Sequence, residues 1–364
     1  MSAPSFVVQT CESKFQNTDQ VPIRPIANAE LSPFEAVDPF GLRKAILPVF
    51  ERNPEDGTLI GMGTAFHIDG WGGCLTAEHV LEFARSRFPE NGLNGQPIVD
   101  LDPSLHRHPV LLLGIGLCYG SALLPEWAIA PIVSTNFSTR QRSDPFTELQ
   151  GRRVFEVAED VAFVKAHFHP DDIKSQSYPQ SLPVELRGWQ PTIGEYVLAF
   201  GYPSLKPSRV MSDPEIQDIV EDDLQCAYAR ITEVYPEGRG STNTTPVFEV
   251  EGNWLSGMSG GPVVNNRGNV VGIVSRSLML ENAELSGRGY ATCLPWIGRK
   301  YDFFRRIDHS NPGWRMGYGV LNDKDELLGI YPERHLGIAH VSQDDSLRLA
   351  FCSNRIGSSD YVCA

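Results

Sequence analysis

Short apolar runs separated by clusters of turn-forming residues recur along most of this sequence, and this pattern limits its possible folds more than any other feature. The first three runs are Ala45–Phe50, Gly61–Ile68 and Gly73–Ala77. Between them lie two clusters rich in turn residues, Asn53–Gly57 and Asp69–Gly73. Short strands joined by such turns are typical of antiparallel sheets and barrels. The 33 glycines and 27 prolines also fit many turns better than long helices.

The same pattern continues to about residue 300 and predicts an all-β architecture of two barrels. The further predicted strands are Val110–Tyr119, Trp127–Val133, Val161–Ala166, Tyr196–Phe200, Cys226–Val234, Val247–Val250, Val263–Val264, Val270–Ser275 and Tyr290–Cys293. After them, a helix is expected at Trp296–Arg306 and two more strands at Gly319–Tyr331 and Leu336–Val341. The resulting division is an N-terminal extension (1–42), a first barrel (43–185), a second barrel (186–300) and a C-terminal extension (301–364).

Charge and hydropathy narrow the classes of partner. The formal net charge is −14 and no Lys/Arg-rich run occurs, which argues against nucleic-acid binding and against docking on an anionic membrane. The most apolar stretch, Val110–Leu124, is shorter than the roughly 20 residues that a membrane-spanning helix needs. The segment Met1–Phe15 lacks the basic and apolar regions of a secretory signal. A cytoplasmic protein is therefore expected.

Cysteine and histidine usage does not indicate a metal or cofactor site. The seven cysteines are odd in number and widely spaced, and they form no C-x-x-C pair, so we expect mostly reduced thiols. Two H-x-H pairs, His106/His108 and His167/His169, could each bridge a metal from one face of a strand. No third ligand is indicated for either pair, and surface histidines are the favoured interpretation. We expect no cofactor and no metal.

The segment Gly257–Val264 (GMSGGPVV) is the most informative of the chain. A serine between glycines, here Ser259, can lie on a tight turn with its neighbouring backbone amides exposed. Two amides that point into one space can stabilise the oxyanion of an acyl-transfer intermediate. A glycine-rich turn that contains a serine by chance is the alternative interpretation of this segment taken alone.

Two further segments place a histidine and an aspartate beside apolar strands. His79 follows Cys74–Ala77 at a strand-to-helix corner, where a fixed imidazole can act as a general base. Asp160 precedes Val161–Lys165, and a half-buried carboxylate there could fix the tautomer of a histidine. Taken singly, a structural corner histidine and a strand-capping carboxylate are the commoner cases.

Together, the three segments resemble those of chymotrypsin-like serine peptidases, in particular the bacterial trypsin-like peptidase domains. That family has T-A-x-H, D-[IVL]-A-x-[LV]-K and G-x-S-G-G-P in this order, whereas subtilisin and the α/β-hydrolases order their triads differently. The chain has Thr76–His79, Asp160–Lys165 and Gly257–Pro262, and Gly194–Pro203 resembles the start of the family's second barrel. The resemblance covers about residues 43–300. It implies two six-stranded antiparallel β-barrels flanked by N- and C-terminal extensions.

The resemblance also implies a role for each matched residue. Ser259 would attack the scissile carbonyl, while His79 would accept its proton and pass it to the leaving amine. Asp160 would orient His79, and Ser275 would support the aspartate. The amides of Gly257 and Ser259 would form the oxyanion hole. The residues near the primary specificity pocket would be Asn253, Ser277 and Gly289.

Three departures from the family pattern bear on activity. Met258 stands where many secreted relatives have an aspartate, so activation by pairing with a newly cut N-terminus is not expected. Asn253 provides no carboxylate at the pocket base, which argues against a strict preference for Lys or Arg. The stretch between His79 and Asp160 is longer than in compact relatives, which indicates an insertion near residues 86–150.

The sequence therefore predicts a serine endopeptidase of narrow specificity or regulated activity, acting on protein or peptide substrates. Two alternatives stay open, namely a catalytically inactive protease-fold binding module and an esterase with the same triad. A regulatory or effector protein is a further expected partner, and residues 1–40 and 301–364 could hold that control.

Overall fold

The structure is a computed structural model with an antiparallel β architecture. It describes residues 34–35, 42–53, 58–84, 108–112, 129–142, 149, 154–166, 180–203, 208–209, 224–239, 244–278, 287–297, 306–308 and 311–363. No helix among these residues is long and apolar enough to cross a membrane.

Strands dominate the described chain, and its helices are short. The strands are β1 (Phe34–Glu35), β2 (Ile46–Arg52), β3 (Thr58–His67), β4 (Gly73–Thr76), β5 (His108–Leu112), β6 (Ile129–Arg142), β7 (Val154–Ala166), β8 (Tyr196–Gly201), β9 (Ser208–Arg209), β10 (Gln225–Tyr235), β11 (Val247–Glu251), β12 (Pro262–Val264), β13 (Val270–Leu278), β14 (Arg288–Cys293), β15 (Trp314–Leu321), β16 (Leu327–Tyr331), β17 (Arg348–Arg355) and β18 (Tyr361–Cys363). The helices are α1 (Leu42–Ala45), a 3₁₀ helix (Glu78–Ala84), α2 (Leu294–Ile297) and α3 (Arg334–Val341).

Two closed barrels form from these strands, which confirms the fold predicted from the sequence. In the first barrel, β2, β5, β6, β7, β4 and β3 are hydrogen bonded in this order, and β3 pairs back with β2. In the second, the order is β8, β10, β11, β14, β13 and β12, and β12 pairs back with β8. All these pairs are antiparallel. Strands β5 and β6 lie within the segment expected as an insertion, so part of that segment is barrel wall.

Apolar side chains fill the barrels and the space between them. One buried cluster joins first-barrel residues such as Phe66 and Leu75 to second-barrel residues such as Phe200. A separate cluster within the second barrel contains Trp254 and Met258, both buried. Burying a side chain of this size stabilises the fold by about 1.5–3 kcal/mol. The packing fixes the barrels against each other, and the candidate site lies where they meet.

The C-terminal extension folds into a third sheet, with strand order β16-β15-β17-β18. Its β15 contacts the turn between β3 and β4 of the first barrel. The Arg315 guanidinium lies 4.4 Å from the centre of the Trp71 ring and donates to the carbonyl oxygens of Asp69 and Gly70 at 3.3 Å. The extension is therefore docked on the first barrel through a cation–π contact and hydrogen bonds.

The sequence predictions for this extension need correction. The predicted strand Leu336–Val341 is wrong, since these residues belong to α3, where Gly337 packs on Leu349 and His340 stacks on Tyr331. A short apolar run does not distinguish strand from helix by its period alone. The predicted strand Gly319–Tyr331 is divided by a turn into β15 and β16. Most of the predicted helix Trp296–Arg306 lies outside the described residues.

The described cysteines correct a second expectation. The residues Cys74, Cys226 and Cys293 are buried free thiols, as expected. Cys352 and Cys363 lie opposite each other on β17 and β18 and form a disulfide, so the expectation of reduced thiols is wrong for this pair. The two strands bring cysteines eleven residues apart into register, which the spacing in the sequence does not reveal.

Candidate active site

Sheet pairing in the first barrel brings the predicted histidine and aspartate together. Thr76, the last residue of β4, lies opposite Ala162 of β7. His79 follows β4 in the 3₁₀ helix, and Asp160 precedes Ala162 by two residues within β7. The antiparallel register therefore places both side chains at the same end of the β4–β7 pair.

The Asp160 carboxylate binds the imidazole of His79 closely. Its two oxygens lie 2.9 Å and 3.0 Å from His79 Nδ1, and one also accepts the His79 backbone amide at 3.1 Å. Burial acts to raise the pKa of Asp160, but the hydrogen bonds and charge of His79, with the hydroxyl of Ser275, outweigh it and lower the pKa below its usual value. The carboxylate is therefore ionised at neutral pH. It holds a proton on Nδ1 and leaves Nε2 as the basic nitrogen.

The second barrel supplies further contacts to the carboxylate and to the backbone of Asp160. The Ser275 hydroxyl donates to Asp160 Oδ2, and Thr245 Oγ1 accepts the Asp160 amide at 3.0 Å. Thr292 donates to the Asp160 carbonyl oxygen at 3.4 Å. Sequence reasoning missed Thr245 and Thr292, because nothing in their local sequence distinguishes them from other strand-end threonines.

Ser259 lies beside this chain of contacts, in the loop between β11 and β12. Its hydroxyl donates to the carbonyl oxygen of Ser275 at 3.4 Å. Among the hydrogen bonds of the described residues, none joins Ser259 to His79. A continuous series of contacts thus joins His79, Asp160, Ser275 and Ser259. The Ser259 hydroxyl is directed toward Ser275.

Two glycines explain the shape of the loop around Ser259. Gly257 and Gly260 have φ angles of 92° and 85°, in the left-handed region that glycine adopts readily. A Cβ on Gly260 would also lie 2.1 Å from the Thr64 carbonyl oxygen, so only glycine fits there. Neither the Gly257 amide nor the Ser259 amide donates a hydrogen bond to another described residue. Both amides are therefore able to bind an anion.

The three predicted pocket residues lie near one end of the β13–β14 hairpin. Asn253 Oδ1 accepts the Gly287 amide at 3.0 Å, and Ser277 lies opposite Gly289. The Trp254 ring covers Gly289, because a Cβ there would lie 2.5 Å from the ring. The side chain of Ser277 lies outside the described residues. Sequence reasoning missed Trp254, which takes up space beside the predicted pocket.

Neither a metal site nor an activation ion pair is evident in the part of the chain that the structure describes. No group of three or more His, Cys, Asp or Glu side chains there could hold a metal ion. Met258 is buried in the apolar interior of the second barrel, where its side chain packs as a hydrophobic residue.

Comparisons with known proteins give the class of protein that the fold indicates. The profile of the trypsin-like peptidase domain matches residues 63–273, more than half of the chain, and the chain belongs to this family. It is thus a serine protease in class, a hydrolase of peptide bonds. No curated protein matches the sequence.

Solved structures of the Rv3671c protease from M. tuberculosis are similar at low identity. Its active form is 16% identical, with 78% of this chain and 91% of that chain covered and a TM-score of 0.39. The inactive form of the Rv3671c protease is 17% identical, with 71% of this chain and 87% of that chain covered and a TM-score of 0.35.

Proposed function

We propose that this chain is an active serine endopeptidase with His79, Asp160 and Ser259 as its catalytic triad. One observation carries the proposal, namely the continuous contacts from His79 through Asp160 and Ser275 to Ser259. These contacts link the imidazole of His79 to the loop of Ser259 at a half-buried site, with 26% of the His79 side chain exposed. Such an arrangement supports nucleophilic catalysis of acyl transfer.

The proposed reaction begins when His79 Nε2 removes the proton of the Ser259 hydroxyl. Because that hydroxyl points to the Ser275 carbonyl, Ser259 must first turn about its Cα–Cβ bond toward the imidazole. Catalytic hydrogen bonds are often long or poorly aligned without substrate and tighten when it binds. The oxygen attacks the substrate carbonyl, and His79 then donates the proton to the leaving amine. Water hydrolyses the resulting acyl-enzyme by the same steps.

The tetrahedral intermediate needs donors for its negative oxygen. We assign these to the amides of Gly257 and Ser259, which make no hydrogen bond to the other described residues. Asp160 stabilises the imidazolium that forms on His79, and Ser275 keeps the carboxylate oriented. Each oxyanion donor in such enzymes contributes about 10²–10³ in kcat.

For specificity we propose a shallow primary pocket that accepts small side chains. Its walls would be Asn253, Ser277 and Gly289, and the Trp254 ring fills the space above Gly289. Asn253 carries no charge, so Lys and Arg gain no ion pair there. A peptide series differing only at the residue before the cleaved bond should give the highest kcat/KM with alanine or glycine. A preference of wild-type enzyme for phenylalanine, leucine or arginine would contradict the proposal.

A fluorophosphonate probe tests the catalytic proposal directly. We expect the folded wild-type chain to be labelled, the label to map to Ser259, and Ser259→Ala to remain unlabelled. No labelling of folded wild-type protein would favour an inactive protease-fold binding module. An esterase is the other alternative, and it would cleave activated esters while every peptide of a broad library stays intact.

We further propose that activity is regulated through the C-terminal extension. The division of the chain at residues 42, 185 and 300 stays a prediction, because β1 from before residue 42 pairs with β10 and β9 from after residue 185 pairs with β3. The third sheet docks on the turn before β4, which leads to His79. A regulatory or effector protein that binds this sheet could act on the site through that turn. The cytoplasmic location stays a prediction, and the Cys352–Cys363 disulfide favours an oxidising compartment instead.

A further inference from the structure

One buried threonine of the first barrel contacts the loop that carries Ser259 in the second barrel. Thr64 lies on β3 and is fully buried. Its hydroxyl donates to the Gly257 carbonyl oxygen at 2.8 Å and accepts the Tyr202 amide at 3.1 Å. The hydroxyl therefore uses both its donor and an acceptor position, which fixes its orientation.

The backbone of the same residue holds the other side of the loop. The Thr64 amide donates to the Ser259 carbonyl oxygen at 2.8 Å. The Thr64 carbonyl in turn accepts the Thr76 hydroxyl at 2.7 Å, which anchors β3 to β4. Thr64 thus binds the carbonyl oxygens of the two residues whose amides face the proposed oxyanion position.

These bonds fix the peptide groups of the loop. A planar peptide group joins the carbonyl of one residue to the amide of the next, so the Thr64 bonds hold the Gly257–Met258 and Ser259–Gly260 groups. The Met258–Ser259 group, which carries the Ser259 amide, lies between these two, and the Gly257 amide comes directly before the first of them. The group between Gly257 and Met258 is held at both ends, because the Met258 amide donates to Leu255 at 3.1 Å. Gly257 has no Cβ to restrict rotation, so these bonds must supply the restriction. Of the amides from Gly257 to Gly261, only those of Gly257 and Ser259 donate no hydrogen bond to another described residue.

We propose that Thr64 is a positioning residue that keeps the oxyanion-binding amides of Gly257 and Ser259 in their productive orientation. The inference rests on the proposed function, because an oxyanion hole matters only if Ser259 acylates. The link crosses the barrel interface, so the nucleophile loop of one barrel is held in shape by a strand of the other. Sequence motifs do not reveal this role, since Thr64 lies 193 positions from Gly257 along the chain.

The test compares Thr64→Val with Thr64→Ser in the full-length chain. Valine keeps the shape and the backbone amide but loses the hydroxyl, whereas serine keeps the hydroxyl. Because one oxyanion donor is worth about 10²–10³ in kcat, we expect Thr64→Val to lose about 10- to 100-fold in kcat with KM nearly unchanged. Thr64→Ser should stay within about threefold of wild type, since its hydrogen bonds persist.

A second measurement separates positioning from general destabilisation. A peptide aldehyde forms a tetrahedral adduct whose oxygen occupies the oxyanion hole, so Thr64→Val should weaken its binding about as much as it lowers kcat/KM. Binding of the product peptide should not change. The control is Ser181→Ala, which removes another fully buried hydroxyl far along the chain and should alter neither value.

The outcomes distinguish the two proposals. If fluorophosphonate labels wild-type enzyme but Thr64→Val keeps wild-type kcat and aldehyde affinity, the role of Thr64 is wrong while the proposed function stands. If Thr64→Ser lowers kcat and aldehyde affinity as much as Thr64→Val does, a role of the Thr64 hydroxyl is also wrong. Folded wild-type protein that takes no label would overturn the proposed function and this role together.

Discussion

Two regions of the molecule each combine a histidine, an aspartate and a serine, yet their hydrogen bonds give them different roles. One is the candidate site of His79, Asp160 and Ser259. The other, which we call the buried cluster, consists of His67, Asp69 and Ser181 beneath the β3–β4 turn. In the buried cluster the exposed fractions of the three side chains are 0%, 2% and 0%, whereas His79 keeps 26% exposed.

The hydrogen bonds decide which histidine can act as a base. His79 Nδ1 faces the carboxylate of Asp160, so Nε2 is the unprotonated nitrogen. In the buried cluster, His67 Nε2 accepts the Gly72 amide at 3.0 Å, so the proton lies on Nδ1, which faces Ser181 at 2.9 Å. That nitrogen cannot take a proton from the serine.

The aspartates differ in the same way. Asp69 Oδ1 accepts the amides of Trp71 and Gly73 at 2.8 Å and 2.9 Å and lies 3.7 Å from His67. It therefore shapes a turn, while Asp160 orients an imidazole. A catalytic triad is therefore defined by the tautomer of its histidine and by access to the imidazole, and not by the three residue types alone.

The largest expected difference follows removal of each serine hydroxyl. Ser259→Ala should lower kcat by about 10⁵–10⁶, as loss of the nucleophile does in other serine proteases. Ser181→Ala should leave kcat within about twofold of wild type, because the Ser181 hydroxyl faces His67 in the buried cluster. The rate of peptide cleavage by both variants checks this. A large loss of kcat in Ser181→Ala would contradict the distinction between the two regions.

Neutralising each aspartate gives the next largest difference. Asp160→Asn should lower kcat by about 10⁴, the size reported for the chymotrypsin-type aspartate, because the imidazole then adopts the wrong tautomer. Asp69→Asn retains an oxygen that accepts the two turn amides, so we expect a change below about threefold. Steady-state kinetics near neutral pH measures both. Equal losses would mean that the buried cluster also orients the catalytic groups.

The free energy of unfolding should be affected in the opposite order, with the larger loss in the buried cluster. His67→Ala leaves a cavity and unpaired polar groups, and we expect it to lower the free energy of unfolding by about 2–4 kcal/mol. His79→Ala removes a partly exposed side chain, and its effect should be below about 1.5 kcal/mol. Urea unfolding followed by tryptophan fluorescence compares them. A greater loss of stability in His79→Ala would contradict our assignment of roles.

The pH dependence of unfolding tests the buried state of His67 separately. Burial lowers the pKa of His67 by more than the nearby Asp69 carboxylate raises it. The unfolded chain therefore takes up a proton near the usual histidine pKa of about 6.5, whereas the folded chain takes it up only at a lower pH. The contribution of His67 to the free energy of unfolding is therefore fully present above that pH and should be lost progressively as the pH falls below it. His67→Gln should flatten this slope, and an unchanged slope would exclude His67 as its source.

The smallest expected effect concerns the docked C-terminal sheet. Arg315→Ala removes the contact with Trp71 and the hydrogen bonds to the β3–β4 turn. We expect the free energy that holds the third sheet on the first barrel to decrease by about 1 kcal/mol. Limited proteolysis between the second barrel and the third sheet measures it. The regulatory proposal also expects a changed peptidase rate in this variant, and an identical rate would reject it.

Much of the fold was predictable because its signals are local. Turn clusters such as Asp69–Gly73 and the short apolar runs between them predicted two barrels, and the structure confirms them. The C-terminal sheet was only partly predicted. The run at Leu336–Val341 is too short for its period to identify a helix, and the packing of Gly337 on Leu349 decides its structure.

The sequence by itself named the family and the candidate residues His79, Asp160 and Ser259, because each lies in a short segment whose residue types are required by local turns and strands. Three relations became visible only in the fold: which serine faces which histidine nitrogen, the hold of Thr64 on the nucleophile loop, and the disulfide between β17 and β18. They join residues on different strands or loops, and the first two join residues far apart along the chain. Their geometry follows from strand register and barrel packing, and a local pattern of residues does not contain it.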